Sequence, residues 1–201
     1  MADYKVSRFH APPGCSINFL SAAAVCCSTH WFQPRGSVIE NYLEEHNDAF
    51  MNEYRFYPYR QYLHGIELNT ANEPDEDIQI NLRKVRLPKN KPHLMIGHRA
   101  YMKTEYPLHF MYVKDKEEHD RRIELANLKR MWCTDKWMYL PPVWQQKYVD
   151  CADSYIDEVL NGDFDALIDF FKITEIIKFK DYWRLYEQRN QQVFERYGLI
   201  D

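Results

Sequence analysis

Ala11-Pro-Pro-Gly-Cys-Ser-Ile-Asn-Phe-Leu-Ser-Ala-Ala-Ala-Val-Cys-Cys-Ser-Thr-His-Trp-Phe-Gln-Pro34 contains no Asp, Glu, Lys or Arg, and no other window of the 201-residue chain is as long without a charge. As a helix, Cys15–Phe32 would reach roughly 27 Å at ~1.5 Å per residue, close to the ~30 Å of a bilayer's hydrocarbon layer. Pro12-Pro13-Gly14 supplies a start, because proline suits a helix beginning, and Pro34-Arg35-Gly36 supplies a stop. Trp31 and Phe32 lie at one end, where amphipathic rings favour the headgroup zone. Ser21, Ala22, Ala23, Ala24 and Ser28 would let a neighbouring backbone approach closely. Against this, Ser16, Asn18, Ser21, Ser28, Thr29 and His30 dilute the hydrophobicity, and polar groups in a bilayer are costly unless paired. The stretch therefore has three readings: a membrane-embedded helix, a core helix of a soluble domain, and a signal segment. The first sets the expectation: a polar arm over 1–10, a candidate transmembrane helix over 11–34, and a mainly α, helical extramembrane region over 35–201 with a short two-stranded β element.

Working outward, the composition bounds the function classes. The formal net charge is −4, which does not call for a nucleic-acid partner. With 15 Tyr, 11 Phe and 5 Trp, the chain has more large amphipathic rings than a small core needs, and such rings suit protein interfaces. The five cysteines, Cys15, Cys26, Cys27, Cys133 and Cys151, do not form a secreted disulfide framework. Reduced thiols are expected, with a Cys133–Cys151 bridge as the alternative.

Ser37 with Glu40 reads as a capping box opening a helix that ends before Pro58. Tyr54–Tyr62 is an aromatic and arginine cluster, and residues 69–77 are an acidic loop without the order of a calcium hand. Ile78–Leu82 alternates as a strand should, and Leu108–Val113 is the second strand candidate. Between them Arg83, Lys84, Arg86, Lys89 and Lys91 form a basic stretch suited to an anionic lipid such as cardiolipin. Asp115 with Glu118 caps a helix carrying the pairs Glu117/Arg121 and Glu118/Arg122. A Trp-rich connection follows, with Trp132, Trp137 and Trp144 as partner-facing candidates, and Gln145–Leu160 reads as one helix. The last helix opens at Thr174-Glu175 and steps through Ile176, Phe179, Trp183, Tyr186, Asn190, Val193 and Tyr197 at heptad spacing. Trp183, Tyr186 and Asn190 on that seam face either a partner or the chain's own core.

No Gly-rich phosphate loop, G-x-S-x-G or H-E-x-x-H is present. The spacings of His93, His98, His109 and His119 match no zinc pattern. No catalytic, cofactor or metal residue is therefore expected, and the chain is not read as an enzyme. A charge-free anchor, helical charged arms and surplus Tyr and Trp resemble, in architecture alone, the supernumerary subunits of mitochondrial inner-membrane energy-converting complexes, the respiratory chain and ATP synthase. That resemblance implies a non-catalytic accessory subunit of a protein complex, acting in assembly or stabilisation at the mitochondrial inner membrane and partnered by other subunits and lipid. The alternatives are an RNA-associated ribosomal protein, and a soluble helical enzyme or scaffold with residues 15–32 in its core.

Overall fold

The computed structural model describes residues 4–12, 14–32, 79, 82–83, 89–97, 104–134 and 143–196, without the side chains of 18, 128–134, 189, 193–194 and 196. In chain order the elements are β1 (Val6–His10), α1 (Ile17–Cys26), β2 (His93–Gly97), β3 (Leu108–Tyr112), α2 (Lys116–Thr134), α3 (Gln146–Val149), β4 (Ser154–Tyr155), α4 (Ile156–Leu160), α5 (Asp165–Phe171) and α6 (Ile176–Arg196). The strands form one sheet in the order β2-β1-β3-β4. All three pairings are parallel, with Val6 opposite His93, Arg8 opposite Leu108 and Met111 opposite Ser154. This corrects the mainly α expectation and its two-stranded β element: the molecule is an α/β fold, because parallel neighbours must be joined by crossovers rather than tight hairpins.

Residues 6–10, expected as part of a polar arm, are a central strand. Parallel strands are covered on both faces, and Val6, Arg8, Phe9 and His10 are all buried. Alternation along the strand turns Phe9 into the main core with α1, α5 and α6, and Val6 into a smaller cluster with Tyr4, Leu82 and Met95.

The charge-free stretch is not a membrane span. No helix among the described residues is long and apolar enough to cross a bilayer. α1 has 10 residues, which covers only ~15 Å at ~1.5 Å per residue. It lies against β1, β2, α5 and α6. Ala22, Ala23 and Ala24 are at most 2% exposed, so their small side chains let sheet and helices close on α1. Ser21 Oγ donates to the Ile17 carbonyl at 2.6 Å, which satisfies the buried hydroxyl inside the helix. Trp31, expected at a headgroup boundary, is buried, and its Nε1 donates to the Phe171 carbonyl at 2.6 Å.

Further along, Gln79, Leu82 and Arg83 are helical rather than extended, while β3 occupies the second strand candidate. The single helix expected over 145–160 is interrupted by β4. Asp153 explains the break: its N–H donates to the Phe110 carbonyl at 2.8 Å, and its carboxylate accepts the Phe110 N–H at 2.7 Å. That exchange draws the segment onto the sheet edge. Asp115 Oδ1 caps α2 by accepting the N–H groups of Glu117 and Glu118 at 2.8 and 3.0 Å. On α6 the seam residues Phe179, Trp183, Tyr186 and Asn190 face the chain's own core, where Tyr186 stacks on Phe19 with ring centroids 4.0 Å apart. The helix opening at Ser37, the 54–62 cluster and the 69–77 loop lie outside the described residues.

Candidate ligand site at the carboxyl end of the sheet

β1 has β2 on one side and β3 on the other. The chain leaves β1 at the point where its neighbours diverge, which in open α/β sheets is where ligands bind, outside the carboxyl ends of the strands. Residues 11–16 form the turn from β1 into α1. Ala11 N–H donates to the Gly97 carbonyl at 3.1 Å, and Cys15 N–H donates to the Pro12 carbonyl at 3.3 Å. Gly14 has φ 90° and Ser16 has φ 54°, so two residues of the turn are left-handed. The Ser16 side chain makes no capping hydrogen bond to α1. The turn thus carries no charge, opens a helix, and leaves that helix start uncapped by its own N-cap side chain. The positive end of a helix dipole favours an anion at such a place, here within a junction whose Ala11, Cys15, Ser16 and Ile17 are buried.

Gly14 has a second role. A Cβ there would sit 2.1 Å from the Arg122 carbonyl oxygen, so glycine lets the turn rest on the α2 backbone. Around this junction stand Cys15, Tyr112, His119 and Arg122. Cys15 is fully buried, and burial pushes its thiol up to about 12, which removes it as a nucleophile. Burial likewise raises the Tyr112 phenol, whose oxygen accepts the Gln145 N–H at 3.2 Å. His119 is buried, its ring centroid 6.0 Å from that of Tyr112. Its Nδ1 lies 3.1 Å from Asp120 Oδ1, and its Nε2 has no hydrogen-bond partner. A carboxylate on one ring nitrogen orients an imidazole and fixes the role of the other.

Arg122 is 3% exposed. Its Nε donates to Glu118 Oε1 at 2.6 Å, and its Nη1 is 3.7 Å from Glu187 Oε1. Burial works against the charged guanidinium, but Glu187 and Glu118 outweigh it and raise its pKa. On the other face of β1, Arg8 and His10 are fully buried, with the Arg8 guanidinium 5.8 Å from the Tyr106 ring centre.

None of this junction was singled out from sequence as a site. Of the partner-facing candidates, Trp183, Tyr186 and Asn190 are in the core, and Trp144 is half-buried with its Nε1 donating to the Val113 carbonyl at 3.2 Å. The side chains of Trp132 and Trp137 lie outside the described residues. Of the basic stretch, Arg83 and Lys89 are exposed, and Lys89 Nζ sits 5.0 Å from the Tyr4 ring centre. Lys91 Nζ donates to the Thr29 carbonyl at 3.1 Å. Lys84 and Arg86 are outside the described residues. Cys151 is exposed as a free thiol. Among the described residues no group of His, Cys, Asp and Glu is arranged to hold a metal ion.

Comparison with protein-family models, with curated proteins and with solved structures finds no match to this chain. No relative there supports a mitochondrial complex subunit, and, correcting the expected transmembrane helix, no helix among the described residues is long and apolar enough to cross a bilayer.

Proposed function

We propose that the chain binds a phosphorylated small molecule of the nucleotide class at turn 11–16. The observation that carries this reading is the uncharged, left-handed turn that opens α1 without a side-chain cap at the sheet's switch point. His119, held by Asp120 and with Nε2 unfilled, is the side chain on this junction suited to moving a proton. The accessory-subunit reading drew on a membrane helix together with helical charged arms and surplus Tyr and Trp, and α1 in the core removes the first of these.

The test is calorimetry on the full chain with ATP, ADP and adenosine, alongside Ser16→Asp. Aspartate tolerates the left-handed region, caps the helix and occupies the anion's place with its own charge. The expected result is that ATP and ADP bind, adenosine binds at least tenfold more weakly, and Ser16→Asp keeps its melting temperature while losing one ATP or ADP site from the binding stoichiometry. Equal binding of all three compounds, or unchanged binding by Ser16→Asp, would overturn the reading.

A further inference from the structure

A separate cavity of about 530 Å³ opens between α2, α4 and α6. One wall is aromatic: Phe164 and Trp183 meet edge to face with centroids 6.3 Å apart. Its floor is ionic and incompletely used. Arg122 spends Nε on Glu118, but Nη1, though buried, has no hydrogen-bond partner. Glu187 spends Oε1 on the Asn190 amide at 2.8 Å, but Oε2, also buried, has none. Nη1 and Oε1 of the two groups are 3.7 Å apart, beyond hydrogen-bond range. A guanidinium N–H and a carboxylate oxygen thus sit side by side with capacity left, and a buried polar atom without a partner is costly. At the rim stand two exposed cations, Lys180 with Nζ 5.4 Å from the Phe164 ring centre and Arg184 paired with Asp181 at 3.3 Å.

We infer that this cavity is a nucleobase-binding site, in which a flat ring lies against Phe164 and Trp183, its edge pairs with Arg122 and Glu187, and an acidic substituent meets Lys180 and Arg184. The edge match is chemical: every nucleobase carries a hydrogen-bond donor beside an acceptor, which complements a carboxylate beside a guanidinium. Bases stack on aromatic side chains whatever their identity, and the cationic rim selects nucleotides over nucleosides. No residue of 11–16 lines the cavity, although the Arg122 backbone also supports that turn.

The test is calorimetry on the full chain with AMP, GMP, CMP and UMP, and with ribose 5-phosphate as the probe that lacks a base. At least one nucleotide should bind tenfold or more tightly than ribose 5-phosphate. Lys180→Gln with Arg184→Gln should weaken it about tenfold, and the near-isosteric Glu187→Gln should change the order of preference among the four bases. Ser16→Asp should leave this binding intact, which separates it from any ligand at the turn. Ribose 5-phosphate binding as tightly as every nucleotide, no saturation by any of them, or loss of binding in Ser16→Asp with none in the cavity variants, overturns the inference.

Discussion

α1 and α6 pack against each other through Phe19 and Tyr186, yet they are opposite kinds of helix. α1 is buried nearly all round, with only Cys26 half-exposed among its described side chains. α6 is buried along one seam and leaves Ile177 at 81% exposure on the other side. An amphipathic helix declares its environment, because the polar face must meet water. A helix without charges declares only that something apolar surrounds it. Lipid and a folded protein are equivalent answers to that demand, and the decision lies in the strand that precedes α1.

That contrast is open to direct attack. The largest effect is expected at the turn into α1: Gly14→Ala drives a Cβ to 2.1 Å from the Arg122 carbonyl at φ 90°, so loss of more than ~4 kcal/mol, read as an unfolded or barely cooperative chain in urea titration, is expected. Phe19→Ala removes a ring that is 2% exposed and stacked on Tyr186, and should cost about 3–5 kcal/mol in the same titration. Ala23→Leu, on a helix with no free face, should cost about 1–3 kcal/mol through overpacking. A tolerated leucine there would mean that α1 has a slack side. Ile177→Ser on the exposed face of α6 should stay within about 0.5 kcal/mol, and a larger loss would show that this face is covered.

A smaller test concerns protons rather than volume. His109 Nε2 is 2.7 Å from Ser154 Oγ, and burial first lowers the imidazole below its usual 6.5, with Asp153 and Asp169 opposing. A histidine depressed in the folded state stays neutral there while the unfolded chain takes up the proton. Stability should therefore fall as pH drops below 6.5 towards the folded value and level off beneath it. Thermal melts from pH 7.5 to 5 should show that slope reduced in His109→Asn, and an unchanged slope would assign it elsewhere.

Some of this was legible in the sequence. The cap at Asp115 and the seam of α6 are local devices, and local devices are written in neighbouring residues. The sheet was not. β1 reads Val-Ser-Arg-Phe-His, and the buried Arg8 and His10 make it look like surface. β2 lies beside Lys89 and Lys91 and was absorbed into a basic stretch. β4 has two residues, and only Asp153 paired with Phe110 places it. The turn into α1 is visible as Pro12-Pro13-Gly14, a sequence equally suited to starting a membrane helix. A turn between strand and helix has meaning only once the strand is recognised. His119 was weighed only for metal spacing, and nothing in the sequence alone brings it beside Tyr112.

The carbonyl of Cys27, just past the end of α1, accepts the N–H groups of Thr174 and Glu175 at 2.9 and 3.1 Å and the Thr174 hydroxyl at 3.2 Å, across 147 residues of chain. β1, the first strand made, is flanked by strands that are made later. A ribosome therefore releases the most apolar segment of this protein long before the partners that cover it exist. Folding that depends on such distant pairings is slow and exposes sticky surface meanwhile. The nascent chain should need a holdase on α1 until residue 175 has cleared the exit tunnel, and chains halted short of Thr174 should be captured by chaperones rather than accumulate folded.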